Sequence, residues 1–178
     1  IEAARLVMGG IDLDPATTAS VNAVHIKATH YFSKFDDGLT RPWQLIGSKP
    51  SRVWLNPPGG LINRRSSAAV WWDKLVSEYH AGRVAQAIFL GFSIEILASS
   101  QDSAQWAGSF PFCIPRRRIR FLQESEEGVF VSGDSPTHAN VIVYLPLRSN
   151  HADSRRLWQG DEPEKFRDTF TRFGAVRI

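Results

Sequence analysis

The run Val84-Ala85-Gln86-Ala87-Ile88-Phe89-Leu90 constrains the fold more than any other stretch of this chain. It is apolar almost throughout instead of alternating, which marks a strand covered on both faces, and such strands belong to parallel sheets flanked by helices. Elsewhere the apolar runs switch between helix-like and strand-like spacing, without repeats or low-complexity tracts. With 178 residues, 43% of them apolar and 22% charged, the chain has the size and composition of one domain with a sizeable core. A single α/β domain over residues 1–178 is expected.

Residues 1–8 read as a helix stopped by Gly9-Gly10, and 11–14 as a short strand broken at Pro15. Residues 17–30 read as helical, and 36–51 as turn-rich. Arg52-Val53-Trp54-Leu55 reads as a strand that stops at Asn56-Pro57-Pro58-Gly59-Gly60, because proline offers no N–H to a ladder. Ser66 or Ser67 caps a helix reaching His80, and Ser93 caps a short one through Ser100. Residues 116–121 and 140–145 look like an antiparallel pair joined by the polar stretch 124–136, and Asp161-Glu162-Pro163-Glu164 opens a helix to Phe173. The expected architecture is a mostly parallel, doubly wound sheet with an antiparallel terminal hairpin. Ligands of such sheets bind beyond the carboxyl ends of the strands, which directs attention to Asp14-Pro15, Asn56-Pro57-Pro58 and Gly91-Phe92-Ser93.

Asn56-Pro57-Pro58 carries the most chemistry. The two prolines fix φ and remove donors, so nearby carbonyls stay rigid and free to accept hydrogen bonds, and the Asn56 side chain adds a neutral acceptor. Together they suit an –NH2 group. Two acceptors gripping the protons of a ring-conjugated amine would draw its nitrogen toward a tetrahedral shape and aim the lone pair at an electrophile. Catalysis of that kind is positioning plus electrostatics, with no strong base required beforehand.

Other chemistries lack their residues. Cys113 is the one cysteine, so no intrachain disulfide or cysteine-rich zinc site can form, and a reducing, cytoplasmic setting fits. His25 and His30 are five apart, which is not the spacing of zinc ligands on one helical face, and no metal site is expected. There is no Walker lysine loop, Gly-x-Gly-x-x-Gly or hydrolase nucleophile elbow. Asp12 and Asp14 lack the Glu-x-Lys that would complete a magnesium nuclease site. No run is long enough to cross a bilayer, the start lacks a signal peptide's regions, and no membrane partner is expected.

The ordered set Ile11-Asp12-Leu13-Asp14-Pro15-Ala16, Asn22-Ala23, Tyr31-Phe32, Asp37-Gly38-Leu39, Trp43, Val53-Trp54-Leu55-Asn56-Pro57-Pro58 and Trp72 resembles the phage and prophage type of DNA N6-adenine methyltransferase. The likeness includes Arg118-Ile119-Arg120-Phe121 and Ser135-Pro136-Thr137-His138-Ala139-Asn140-Val141-Ile142-Val143-Tyr144, and so spans most of residues 9–145. It implies a Rossmann-like methyltransferase fold, S-adenosylmethionine as methyl donor, and a flipped adenine of double-stranded DNA as acceptor. By the same likeness Asp12, Asp14, Pro15 and Ala16 border the cofactor, as do Asp36, Asp37, Gly38 and Leu39, while Asn56, Pro57 and Pro58 form the catalytic loop. Which of Asp14, Asp36 and Asp37 receives the cofactor's hydroxyl or amino groups stays open. Two departures stand out. Relatives often carry an aromatic after the second proline, where it stacks on the flipped base, but this chain has Gly59, leaving Trp71, Trp72 or Phe92 as substitutes. They also usually carry a Tyr-Thr-Pro-like segment before the helix that here begins at Ile1.

The net charge is only +3, but the basic residues are sixteen arginines against five lysines, and arginine's planar fork suits phosphate. As a strand, residues 116–121 would put Arg116, Arg118 and Arg120 on one face, a row able to contact phosphates; Glu124, Glu126 and Glu127 are the alternative, acidic partners. Arg64, Arg65 and Trp72 are expected beside the flipped base. The rival readings are the same fold methylating RNA adenine or a protein glutamine, and a DNA-binding module that has lost turnover.

Overall fold

The computed structural model of the protein describes residues 1–44, 49–125, 128–133, 137–148 and 161–178. The chain begins with α1 (Glu2–Met8), β1 (Leu13–Asp14), α2 (Ala19–Val21) continuing into a π-helical turn (Asn22–Ile26), β2 (His30–Tyr31) and β3 (Ser51–Leu55). A short pair, β4 (Leu61–Ile62) and β5 (Arg65–Ser66), leads to α3 (Ser67–His80), β6 (Val84–Gly91), α4 (Ile96–Ser99) and β7 (Phe112–Pro115). A second short pair, β8 (Leu122–Glu124) and β9 (Phe130–Ser132), precedes β10 (Val141–Leu145), α5 (Glu162–Phe170) and β11 (Gly174–Arg177).

Seven strands form one mixed sheet in the order β11-β7-β10-β6-β3-β1-β2. The half β2-β1-β3-β6 is parallel, with Leu13 opposite Val53 and Leu55 opposite Phe89. Beyond β6 the sheet turns antiparallel: β10 runs against both β6 and β7, and β11 against β7. The apolar run singled out in the sequence is β6. Its Ala87 and Phe89 enter the core under α3 with Val53, Leu55, Trp72 and Leu75, while Ile88 and Leu90 enter a second core with Trp54, Val7 of α1 and Phe166 of α5. Because both faces are covered, neither parity of residue meets water and alternation vanishes. Each fully buried large apolar side chain contributes roughly 1.5–3 kcal/mol, so the two cores hold the sheet from both sides.

Residues 116–121, expected as a strand, are irregular, and the ladder against β10 is made instead by β7, with Cys113 opposite Ile142. A strand beside β10 needs apolar side chains, which Phe112-Cys113-Ile114 supply and three consecutive arginines could not without burying charge. The terminal hairpin is corrected accordingly: β10 lies inside the sheet, and β11, absent from the sequence reading, closes its edge. Residues 17–30 do not form one helix. The buried Asn22 side chain accepts from Ala28 N–H (2.9 Å) and donates to its carbonyl (3.2 Å), and Lys27 turns at φ 53°, returning the chain to the sheet at β2. The stretch 124–136 includes β9; Glu126, Glu127, Ser135 and Pro136 lie outside the described residues. The last helix stops at Phe170, short of Phe173. Among the described residues no helix is long and apolar enough to cross a membrane.

Candidate active site

The parallel strands β1, β3 and β6 are neighbours, so Asp14-Pro15, Asn56-Pro57-Pro58 and Gly91-Phe92-Ser93 leave the sheet at the same end. Asn56 immediately follows β3 and is half-buried; Pro57 is buried and Pro58 exposed. No hydrogen bond among the described residues uses the Asn56 side chain, and no backbone N–H among them reaches the Pro57 carbonyl. An amide that is neither satisfied internally nor fully solvated keeps its acceptor available to a ligand.

Asp14 ends β1 and is 2% exposed. One carboxylate oxygen accepts from Ala16 N–H at 3.0 Å, and no cation among the described residues pairs with the group. Burial pushes its carboxyl up to about 7, partly offset by the Ala16 N–H. Gly38 lies against the next residue, Pro15: a Cβ on Gly38 would stand 2.1 Å from the Pro15 carbonyl oxygen and 3.1 Å from the Trp71 ring. Trp43 Nε1 donates to the Gly38 carbonyl at 2.8 Å and pins the loop. Trp71 stacks on Trp43, and its buried Nε1–H has no partner among the described residues. Gly38 and Pro15 are therefore in close backbone approach, and Ala16 and Leu39 both pack partly against the same core.

The other acids are engaged differently. Asp36 accepts from Ser33 N–H (2.8 Å) and Oγ–H (2.7 Å), bonds that hold its carboxyl below the usual range. Asp37 is exposed at φ 53° and accepts from Leu39 N–H at 3.3 Å. Asp12 lies on the amino side of β1, where Arg52 of β3 grips its carboxylate through Nε (2.8 Å), Nη2 (2.7 Å) and the backbone N–H (2.8 Å). These bonds keep its carboxyl low and make Asp12 a link between strands, with its acceptors already taken.

The basic residues divide as well. Arg64 is exposed at the tip of the β4–β5 turn at φ 67°, following Asn63 at φ 49°. Arg65 is exposed and pairs with Asp73 at 2.7 Å. Arg118 and Arg120 are exposed while Ile119 and Phe121 between them pack partly on the core. Arg116 does not share their row: its guanidinium donates to the Thr171 (3.2 Å) and Arg172 (3.4 Å) carbonyls at the end of α5. Trp72, expected at the nucleic-acid interface, is 0% exposed; its Nε1 donates to Gln105 O at 3.0 Å and its ring packs on Phe89 and Phe110. On α3 it falls on the face toward the sheet, and so belongs to the core.

Asn140 is the residue that sequence reasoning left without a role. It is 1% exposed, accepts from Ile119 N–H at 2.7 Å and donates to the Phe92 carbonyl at 3.1 Å, tying segment 116–121 to the end of β6. Its signal was a polar residue directly before a wholly apolar strand. A cavity of about 630 Å³ lies under the same end of the sheet on the α1 and α5 side, lined by Trp54, Leu90, Ile142, Phe170, Arg117 and Arg172 among others. Asn56 does not line it, although Trp54 stands two residues earlier on the same strand. Among the described residues no cluster of three metal-ligating side chains occurs. Comparison with protein-family models, curated proteins and solved structures yields no match.

Proposed function

We propose that this chain is a Rossmann-like methyltransferase that uses S-adenosylmethionine to methylate the N6 amine of adenine in DNA. The observation that carries the reading is Asn56, an unused side-chain amide at the carboxyl end of an inner parallel strand, rigidified by two prolines and flanked by the strand ends bearing Asp14 and Phe92. The residues fit such a cofactor. Asp14 has a carboxylate oxygen beyond the Ala16 bond, suited to hydroxyl or amino donors, and Trp71, against Gly38, holds an orphaned N–H. When bound, S-adenosylmethionine supplies an electrophilic methyl group.

Asn56 Oδ1 and the Pro57 carbonyl accept the two protons of the adenine amine. That grip weakens conjugation of the nitrogen lone pair with the ring and orients it for attack, while both acceptors, being neutral, leave the amine uncharged beforehand. After transfer the same acceptors hold the cationic nitrogen until it releases a proton to water. Arg64, Arg118 and Arg120, all exposed, contact backbone phosphates and set the register on DNA without reading sequence.

Calorimetry with S-adenosylmethionine and transfer of a labelled methyl group to duplex DNA, RNA and protein test the proposal. Cofactor binding with label on DNA adenine supports it; label on RNA or protein shifts the acceptor class. Absence of cofactor binding leaves the DNA-binding module.

A further inference from the structure

We propose that Phe92, braced by Phe121 and His138, is the platform on which the extruded purine stacks; the inference rests on the methyltransferase reading and gives it a base-holding surface. Leu55 pairs with Phe89 in the parallel ladder, so Pro58 and Phe92 each stand three residues beyond the same register pair. Neighbouring strands lie about 4.8 Å apart, so the two loops emerge side by side. A base whose amine is held at Asn56 and Pro57 therefore has Phe92 beside its ring.

Two further observations favour this residue. Gly59 leaves the proline loop without a ring, and a Cβ there would meet nothing within 4 Å among the described residues. Trp71 and Trp72, the other aromatic candidates, are 6% and 0% exposed. Phe92 by contrast keeps 38% of its surface open. Its position is nonetheless built: His138 meets it edge-on at 5.2 Å, Phe121 lies at 6.4 Å, and the Phe92 carbonyl is held by buried Asn140. Arg120 is exposed on the same segment that supplies Phe121, one residue before it, and a basic side chain on that segment suits a nucleic-acid ligand. Stacking on a π-face is tolerant of base identity, so selection of adenine falls to the amine grip at Asn56.

The test compares end-labelled duplexes of one sequence, one carrying a normal A·T pair and one with the adenine opposite an abasic site, where extrusion costs little. Wild-type protein is expected to prefer the abasic-opposed duplex about tenfold, the order of one stacked base. Phe92→Ala and Phe92→Leu should lose that preference while binding the paired duplex as before, and Phe92→Trp should keep it. A wild-type protein without the preference, or a Phe92→Leu protein that retains it, overturns the proposal. Because the readout is a ratio on one protein, a general loss of stability does not imitate it. Methyl transfer by the wild type is measured in parallel: transfer to DNA with Phe92→Leu unaffected in both assays sinks the platform alone, whereas absence of transfer sinks the methyltransferase reading.

Discussion

Gly38 lies so close to Pro15 that a Cβ at position 38 would stand 2.1 Å from the Pro15 carbonyl oxygen. No flexible side chain separates the two; the obstruction is backbone, so any larger residue must push the loop away from the end of β1. Gly38→Ala is expected to cost on the order of 3 kcal/mol, at the high end for overpacking, and to weaken S-adenosylmethionine binding by displacing the loop from Asp14. Thermal unfolding and calorimetry check both. An alanine protein with wild-type melting would show that the two segments are not held together.

Asp14 sets a pH dependence whose sign follows from burial. Its carboxyl is raised to about 7 in the folded protein against an ordinary value of 3.8, so ionisation opposes folding: the protein loses stability as pH rises from about 4 to 7 and loses no more above that. Asp14→Asn keeps the acceptor for Ala16 N–H and removes the charge. It should raise stability at pH 8 by on the order of 2–4 kcal/mol and change little below pH 4. Denaturant titrations at the two pH values measure the difference. The same substitution should weaken cofactor binding, separating what stabilises the fold from what serves the ligand.

Asn56→Ala should lower methyl transfer by about a hundredfold or more while leaving cofactor affinity and melting temperature close to wild type, since the amide makes no hydrogen bond inside the protein among the described residues. Steady-state kinetics with calorimetry provide the check. Equal losses in turnover and cofactor affinity would assign Asn56 to the cofactor.

Arg64 and Arg116 should separate cleanly. Arg64→Ala is expected to weaken binding to all DNA sequences alike and to reduce the salt slope by about one. Arg116→Ala should leave that slope unchanged and cost about 1 kcal/mol of stability, because its guanidinium serves the carbonyls ending α5. Binding measured across a range of salt concentrations distinguishes them; a Gly38-like stability loss for Arg64, or a slope change for Arg116, would reverse the assignments.

Local chemistry alone determined much of this protein. The uninterrupted apolar run of β6 demanded cover on both faces, Gly9 stopped α1 at φ 75°, and two prolines ended β3 just past Asn56, so the strands β1, β3 and β6 and their three ends at the candidate site were legible in the residues themselves, whereas β2 was not. Tertiary structure decided what depended on partners distant in sequence. Strand pairing chose Phe112–Pro115 over the alternating arginine segment because a place beside β10 admits apolar side chains and excludes clustered charge. Arg52, forty residues away, claimed Asp12, while Asp14 two positions later was left buried without a cation among the described residues. Which tryptophan faces the sheet, and that Phe92 stays open, followed from how α3 and β6 pack, because periodicity describes a helix's faces but only the neighbouring layer decides which of them meets water.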